Sequence, residues 1–211
     1  MFTCHVVLPA EFVPEGEFVF VIYDLEFTTW PGAQDRGWTG DHEFREIVQI
    51  GALRVNSASL EVEAELDVLI KPRLNPRLSE FFESLTGITN DDLAARGQDF
   101  GSAFTTFLNF CGGSYAVSYG NDMVIIGENI ILQLPPDEAP ELPLPPFINV
   151  RPHINKMIPA TRELPAGSLH EGLSGSRTAP RGRAHNALVD CYGIVEAFRH
   201  LRHHGHPLIQ L

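Results

Sequence analysis

The wholly apolar segment Phe18–Tyr23 (FVFVIY) constrains the fold of this chain more than any other feature of its sequence. A short apolar run rich in β-branched and aromatic residues predicts a central strand that is covered on both faces. Ile47–Val55 and Val62–Ile70 predict two further strands, and Asn56 with Ser57 provides a turn between them. Together the three segments predict an antiparallel meander.

Helical periodicity dominates the chain after the meander, with short strands between the helices. Asn90, followed by two aspartates, is a typical helix start because its side chain accepts from free backbone N–H groups. This order of elements predicts an α/β protein with a mixed central sheet and helices on both faces. The predicted helices are Ser79–Leu85, Asn90–Ala95, Ser102–Cys111, Met123–Leu132, Arg151–Met157 and Asn186–Arg202, and the predicted strands are Tyr115–Tyr119 and Phe147–Val150, the second as a core strand.

Residues 18–205 are predicted to form a single domain, and residues 1–17 form a leader without an assigned role. The proline-rich segment 134–146 predicts an irregular surface loop, and residues 165–184 predict a loop with one helical turn. No apolar run is long enough to span a bilayer, and the N-terminus lacks the basic residues of a secretory signal. We therefore expect no membrane association and a cytoplasmic location.

The formal net charge of −12 is unusual for a protein that binds nucleic acid, because phosphates repel carboxylates. The charge is unevenly distributed, since residues 145–211 hold 8 basic against 4 acidic residues. A basic C-terminal third either supplies a phosphate-binding strip or reflects ordinary surface variation. The three cysteines show no C-x-x-C or other zinc-like spacing, and we expect them to be reduced and mostly buried.

Asp24 and Glu26 directly follow the apolar strand and are two residues apart. Side chains at this spacing point to the same face of a strand, about 6–7 Å apart at their Cα atoms. Two carboxylates that face together repel each other and lose hydration, and divalent cations remove that conflict. The alternative is a polar strand end that frays into solvent.

The last predicted helix carries a third acidic position, Asp190, on or beside its apolar stripe. An inward carboxylate needs a partner such as a metal, although it could instead serve the positive end of the helix dipole. We predict Asn186 as the N-cap, which places His185 on the preceding loop, from which its imidazole can act as a general base. An exposed histidine at a loop end is the alternative.

Asp122 follows a predicted strand and a glycine, and alone it would be read as a routine helix cap. The ordered combination is more specific: a D-x-E strand, a G-x-D strand exit and a late H-x-A-x-x-D helix start. With Glu46–Ala52 (EIVQIGA) and Ser84–Thr89 (SLTGIT) between them, these motifs resemble the DEDDh exonuclease family. The resemblance extends from about Phe18 to His200, and the D-x-E-x-T start is most similar to the histone-mRNA and RNA-interference 3′-exonuclease branch.

This resemblance implies an RNase H-like fold and a 3′→5′ exonuclease. The implied substrate is the single-stranded 3′ end of RNA and/or DNA, and the implied products are nucleoside 5′-monophosphates. Two Mg²⁺ or Mn²⁺ ions are implied, which suits a set of hard oxygen ligands. The implied ligands are Asp24, Glu26, Asp122 and Asp190, and His185 is the implied general base.

The predicted substrate contacts are Phe27, Thr28, Trp30, Arg181 and Arg183. The aromatic rings, with Trp38 as a further candidate, would stack on terminal bases, and the arginines would hold backbone phosphates. Core packing and ordinary exposed loop arginines are the respective alternatives. Phe27 stands where the family usually has a small residue, which leaves the choice between RNA and DNA open.

Two other functions remain compatible with the same fold. One is a catalytically silent nucleic-acid-binding adaptor, and loss of an acidic position or of His185 would have favoured it. The other is an RNase H-like endonuclease, and the late histidine before Asp190 argues against it. The sequence leaves homodimerisation open.

Overall fold

The computed structural model describes residues 16–135, 143–173 and 182–208. A mixed five-stranded sheet with the strand order β3-β2-β1-β4-β5 lies at its centre. The strands are β1 Val19–Phe27, β2 Ile47–Asn56, β3 Val62–Leu69, β4 Ala116–Ser118 and β5 Phe147–Asn149. The first three strands pair antiparallel, whereas β4 runs parallel to β1 and β5 parallel to β4. The predicted sheet with its three-stranded meander is confirmed.

Helices cover both faces of this sheet, as predicted. Alternate residues of β1 face opposite sides, so Phe20 and Ile22 join one core and Val21 and Tyr23 the other. The helices are α1 Glu80–Thr86, α2 Asn90–Arg96, α3 Phe100–Cys111, α4 Asp122–Gln133, α5 Arg151–Met157 and α6 Ala187–His203, with 3₁₀ segments at Pro159–Thr161 and Ala166–Gly172. The first core includes residues of α5, of the 3₁₀ segment Ala166–Gly172 and of α6, and the second includes residues of α3 and α4.

The structure confirms one sequence-based prediction about the strands and corrects another. β1 continues beyond the apolar run through Phe27, so Asp24 and Glu26 lie on a paired strand, as their spacing predicted, and not on a frayed end. Phe147–Asn149 is not a core strand: it pairs with β4 at the edge of the sheet, and each of its residues is partly exposed.

The buried side chain of Asn129 fixes α4 to the beginning of β2. Its Oδ1 accepts from the Ile47 backbone N–H at 2.9 Å, and its Nδ2 donates to the Arg45 carbonyl at 2.8 Å. Because α4 begins at Asp122, this anchor also fixes the position of that carboxylate.

Two regions named in the sequence analysis lie largely outside the described residues. They are the leader, of which residues 1–15 are not described, and the proline-rich loop, of which residues 136–142 are not described. Within the described part of the chain, no helix combines the length and apolar character needed to cross a membrane.

Candidate active site

Four carboxylates from distant parts of the chain converge on one cleft at the carboxyl ends of β1 and β4. Asp24 and Glu26 lie on the face of β1 that α6 covers, Asp122 opens α4 directly after β4, and Asp190 lies in the first turn of α6. Together with His185 they line the cleft. The structure therefore brings together all five predicted catalytic residues.

Two residues of β2 determine how closely α6 approaches the carboxylates of β1. Gly51 pairs with Asp24, and a Cβ at this glycine would lie 2.1 Å from the backbone nitrogen of Leu188. Gln49 pairs with Glu26, and its Oε1 accepts from the Ala187 backbone N–H at 3.0 Å. A side chain at position 51 would push the helix away, so this close contact requires glycine.

His185 lies on the loop before α6, as predicted, with a positive φ of 60°. Asn186 is the N-cap of the helix, and its side chain accepts from the Val189 backbone N–H at 3.2 Å. This turn directs the half-buried imidazole towards Glu26 and Asp190, and one ligand atom from each of the three residues lies within 4.8 Å of the others.

Burial and mutual repulsion make the carboxylates of this cluster weak acids in the absence of a cation. Burial raises the pKa of Glu26 to about 8, with Asp190 and Asp122 adding to the shift. Burial raises the pKa of Asp190 to about 7 and that of Asp122 to about 6. For Asp24, burial and then the charge of Asp122 raise the pKa well above its ordinary value.

The imidazole responds to the same environment in the opposite direction. Burial, followed by the nearby positive charge of Arg183, lowers the pKa of His185 below its ordinary value. Both effects disfavour the imidazolium form, so His185 is neutral at physiological pH and has a free nitrogen lone pair.

The residues of the cleft fit a divalent metal ion. Asp190 is only 5% exposed, and its Oδ1 has no hydrogen-bond partner among the described residues, although buried oxygens are normally satisfied. Gly167 leaves room beside this oxygen, since a Cβ there would lie 2.3 Å from it. A hard cation would satisfy the unpaired oxygen and offset the repulsion between the carboxylates.

The raised pKa values predict how pH affects the stability of the metal-free protein. The folded state holds protons on these carboxylates more tightly than the unfolded state, so their contribution to folding is complete below about pH 4. It is lost as the pH rises towards about 8, the raised pKa of Glu26. In chelator, we expect the melting temperature to fall by at least about 5 °C between pH 5 and pH 8.5.

Added Mg²⁺ or Mn²⁺ should reverse this loss, with the larger gain in melting temperature at pH 8.5. Asp24→Asn should stabilise the metal-free protein at that pH, because it removes a repelling charge, and should abolish most of the metal response. Asp91→Asn, at an exposed position of α2, serves as the matched control. A melting temperature that rises with pH in chelator would contradict the proposed repulsion.

Aromatic residues form the wall of the cleft on the side of α1. Phe27, Trp30 and Trp38 contribute rings to this wall, and the rings of Phe27 and Trp38 lie 5.6 Å apart at their centroids. The cleft has a volume of about 560 Å³, which is ample for a nucleotide. α1 adds the side chains of Phe81 and Leu85, which no sequence motif indicated as substrate contacts.

The other predicted substrate contacts have different environments. Thr28 is buried, donates its hydroxyl hydrogen to the Phe44 carbonyl and accepts from the Glu46 backbone N–H, so its side chain holds two segments together. The Arg183 guanidinium donates to the carbonyl of Ser84 near the end of α1, which is a favourable place for a cation. Arg181 lies outside the described residues.

Comparison with known proteins identifies a family. The family model for RNase T, described as exonuclease, matches residues 21–198. ERI1 exoribonuclease 2 from Xenopus laevis is 32% identical over 73 residues, and the protein of the same name from Mus musculus is 34% identical over 68 residues. These matches cover 35% and 32% of this chain but only 10% and 9% of the relatives' own lengths.

Solved structures share the fold at lower sequence identity. The nuclease domain of 3′hExo, described as a DEDDh family member bound to rAMP, has a TM-score of 0.71 at 22% identity, and the match covers 89% of this chain and 92% of that one. A 3′-exonuclease described as recognising the 3′ end of the histone mRNA stem-loop has a TM-score of 0.70 at 21% identity, with coverage of 89% and 64%. Escherichia coli exonuclease I in complex with a dA16 oligonucleotide has a TM-score of 0.56 at 14% identity, with coverage of 88% and 41%.

Proposed function

This chain belongs to the RNase T exonuclease family, and on that premise we propose that it removes nucleotides one at a time from single-stranded 3′ ends. The observation that carries the proposal is the convergence of four carboxylates and a neutral histidine on one cleft. The reaction is hydrolysis of the terminal phosphodiester bond, with a nucleoside 5′-monophosphate as the product. We place this activity in a single domain over residues 18–205.

Two Mg²⁺ or Mn²⁺ ions would be held by Asp24, Glu26, Asp122 and Asp190. When bound, such ions supply electrostatic stabilisation of the charge that develops on the phosphate and on the leaving oxygen. The raised pKa values of the carboxylates imply that cation binding displaces protons from them, so metal affinity should increase with pH.

His185 would take a proton from the water that attacks the phosphate. Its position on the loop directs the ring towards Glu26 and Asp190, and its lowered pKa keeps the accepting nitrogen unprotonated. Gln49 and Asn186 support this role because they fix the start of α6, the helix that the loop enters. We assign both as positioning residues.

The aromatic wall favours unpaired nucleotides, because a base must be unstacked from its own strand before it can stack on a protein ring. Trp30, Phe81 and Leu85 are the side chains of this wall that we expect to contact the terminal base. RNA is the proposed preferred substrate, because the curated relatives are named exoribonucleases.

A digestion series tests the proposal. Linear single strands of RNA and DNA, labelled at either the 5′ or the 3′ end, are incubated with Mg²⁺ or Mn²⁺ beside a circular single strand. We expect the 3′ label to be released at once as a mononucleotide, the 5′-labelled strand to shorten stepwise and the circle to survive. Cleavage of the circle would identify an endonuclease, and binding without cleavage of any strand would identify an adaptor.

A further inference from the structure

Arg151, the first residue of α5, is the one lysine or arginine among the described residues that line the active-site cleft. The other charged residues of this lining are carboxylic acids and His185 is neutral, so Arg151 is the positively charged side chain that this cleft offers to a polyanionic substrate. Resting on the proposed function, we propose that Arg151 binds a backbone phosphate of the nucleic acid on the 5′ side of the bond that is cut.

The guanidinium of Arg151 is held in place by neutral groups. Its carbon lies 5.2 Å from the centroid of the Tyr119 ring, and one nitrogen donates to the Arg162 carbonyl at 3.2 Å. The backbone N–H of Arg151 donates to Asn149 Oδ1 at 3.0 Å. The Tyr119 ring is itself fixed, because its hydroxyl lies 2.6 Å from Asn155 Oδ1. The arginine is thus oriented at little further entropic cost when a ligand binds.

No carboxylate in the described part of the chain forms a salt bridge with Arg151. Arg45, which also lies beside the aromatic wall, is different because it pairs with Glu128. A guanidinium carries five N–H donors in a planar fork, and the hydrogen bond to the Arg162 carbonyl leaves most of them for a ligand. A phosphate matches this fork in charge and in geometry.

The strand order separates this cation from the aromatic wall. Arg151 follows β5, which lies on the β4 side of β1, whereas α1 packs against Val48 of β2 and Leu69 of β3 on the other side. The carboxylates of β1 lie between the aromatic wall and Arg151. A bound strand therefore has a place for its terminal base towards α1 and a place for its backbone towards α5.

The polarity of the reaction identifies which phosphate Arg151 meets. In a strand with a free 3′-hydroxyl, the terminal nucleotide has only one phosphate, and this is the scissile group at the carboxylates. Every other backbone phosphate lies on its 5′ side. Arg151 therefore contributes to the binding of substrates with at least two linked phosphates. It does not take part in the hydrolysis itself.

The test compares a single-stranded oligonucleotide with the p-nitrophenyl ester of thymidine 5′-monophosphate, which has one phosphodiester and no further phosphate. Arg151→Ala should lower kcat/KM on the oligonucleotide by about 10- to 100-fold, mainly through KM, because a charge-assisted contact is lost. The decrease in kcat/KM on the p-nitrophenyl ester should be far smaller. The kcat/KM of Arg151→Lys on the oligonucleotide should lie between the values of the wild type and of Arg151→Ala, since lysine keeps the charge but lacks the planar fork of donors. Arg162→Ala is the matched control, because it removes an arginine side chain but keeps the backbone carbonyl that accepts from Arg151.

Binding of the same oligonucleotide, measured by fluorescence anisotropy in Ca²⁺, gives a readout that does not depend on cleavage. Arg151→Ala should reduce the salt dependence of binding by about 0.7 in the logarithmic slope, the value for one phosphate of a single strand. Equal losses on both substrates, or an unchanged slope, would overturn the inference. If the wild type binds but cleaves neither substrate, the proposed function fails, while the slope still decides the role of Arg151. Melting curves confirm that each variant is folded.

Discussion

Asp190→Asn is expected to lower the rate of 3′-end hydrolysis by about 10³-fold or more, since metal ions supply several kcal/mol of charge stabilisation and ~1.4 kcal/mol corresponds to a factor of ten. The carboxylate is buried, and its Oδ1 has no hydrogen-bond partner among the described residues. A bound cation is therefore the expected partner of its negative charge. The substitution keeps the shape of the side chain but removes that charge. The measurements are the initial rate on a 5′-labelled single strand and the rise in melting temperature with Mn²⁺.

Glu196→Gln is the matched control for this variant, because it removes a charge from the partly exposed surface of the same helix. It should retain both activity and the metal-induced rise in melting temperature. If Asp190→Asn still responded to Mn²⁺ as the wild type does, Asp190 would not be a metal ligand, and the two-metal proposal would need another set of residues.

His185→Ala is expected to lower turnover by about 10²- to 10⁴-fold, the usual contribution of a general base. Metal binding, measured by calorimetry or thermal shift, should remain nearly intact, which separates this variant from Asp190→Asn. The rate of the wild type should rise with pH and level off below the ordinary range of a histidine, because the pKa of His185 is lowered. The rate of the variant should not show this rise with pH.

The position of His185 makes this experiment decisive. One of its ring nitrogens lies within 4.8 Å of ligand atoms from both Glu26 and Asp190, a spacing that also suits a shared cation. If His185→Ala abolished metal binding, the residue would be a ligand and not a base. His203→Ala, at an exposed position near the end of α6, controls for the loss of a histidine elsewhere in the protein.

Local sequence patterns predicted the elements of this fold because strand and helix periodicities depend on near neighbours in the chain. The apolar run that begins β1 and the apolar stripe of α6 are patterns of this kind. The same reasoning left open whether Asp24 and Glu26 stay on the strand or belong to a frayed polar end. Pairing with Gly51 and Gln49, which lie on another strand, keeps the carboxylates inside the sheet.

The convergence of the five proposed catalytic residues on one cleft was predictable only from their ordered set, because each of them alone has an ordinary structural explanation. Arg151, Gly167 and Phe81 could not be found in this way. Their proposed roles depend on elements that are distant in sequence: a Cβ added at Gly167, for example, would lie only 2.3 Å from Asp190 Oδ1. A glycine opposite a catalytic carboxylate has no periodic pattern of its own.

The hydrogen bond between Gln49 and Ala187 joins positions 138 residues apart, which bears on how the protein is made. Synthesis proceeds from the N-terminus, so the carboxylate pair of β1 leaves the ribosome well before α6. Until that helix docks, the cleft lacks both Asp190 and the loop that carries His185. Under the proposed function, a nascent chain would therefore be unable to cleave its own messenger RNA until the last helix has docked.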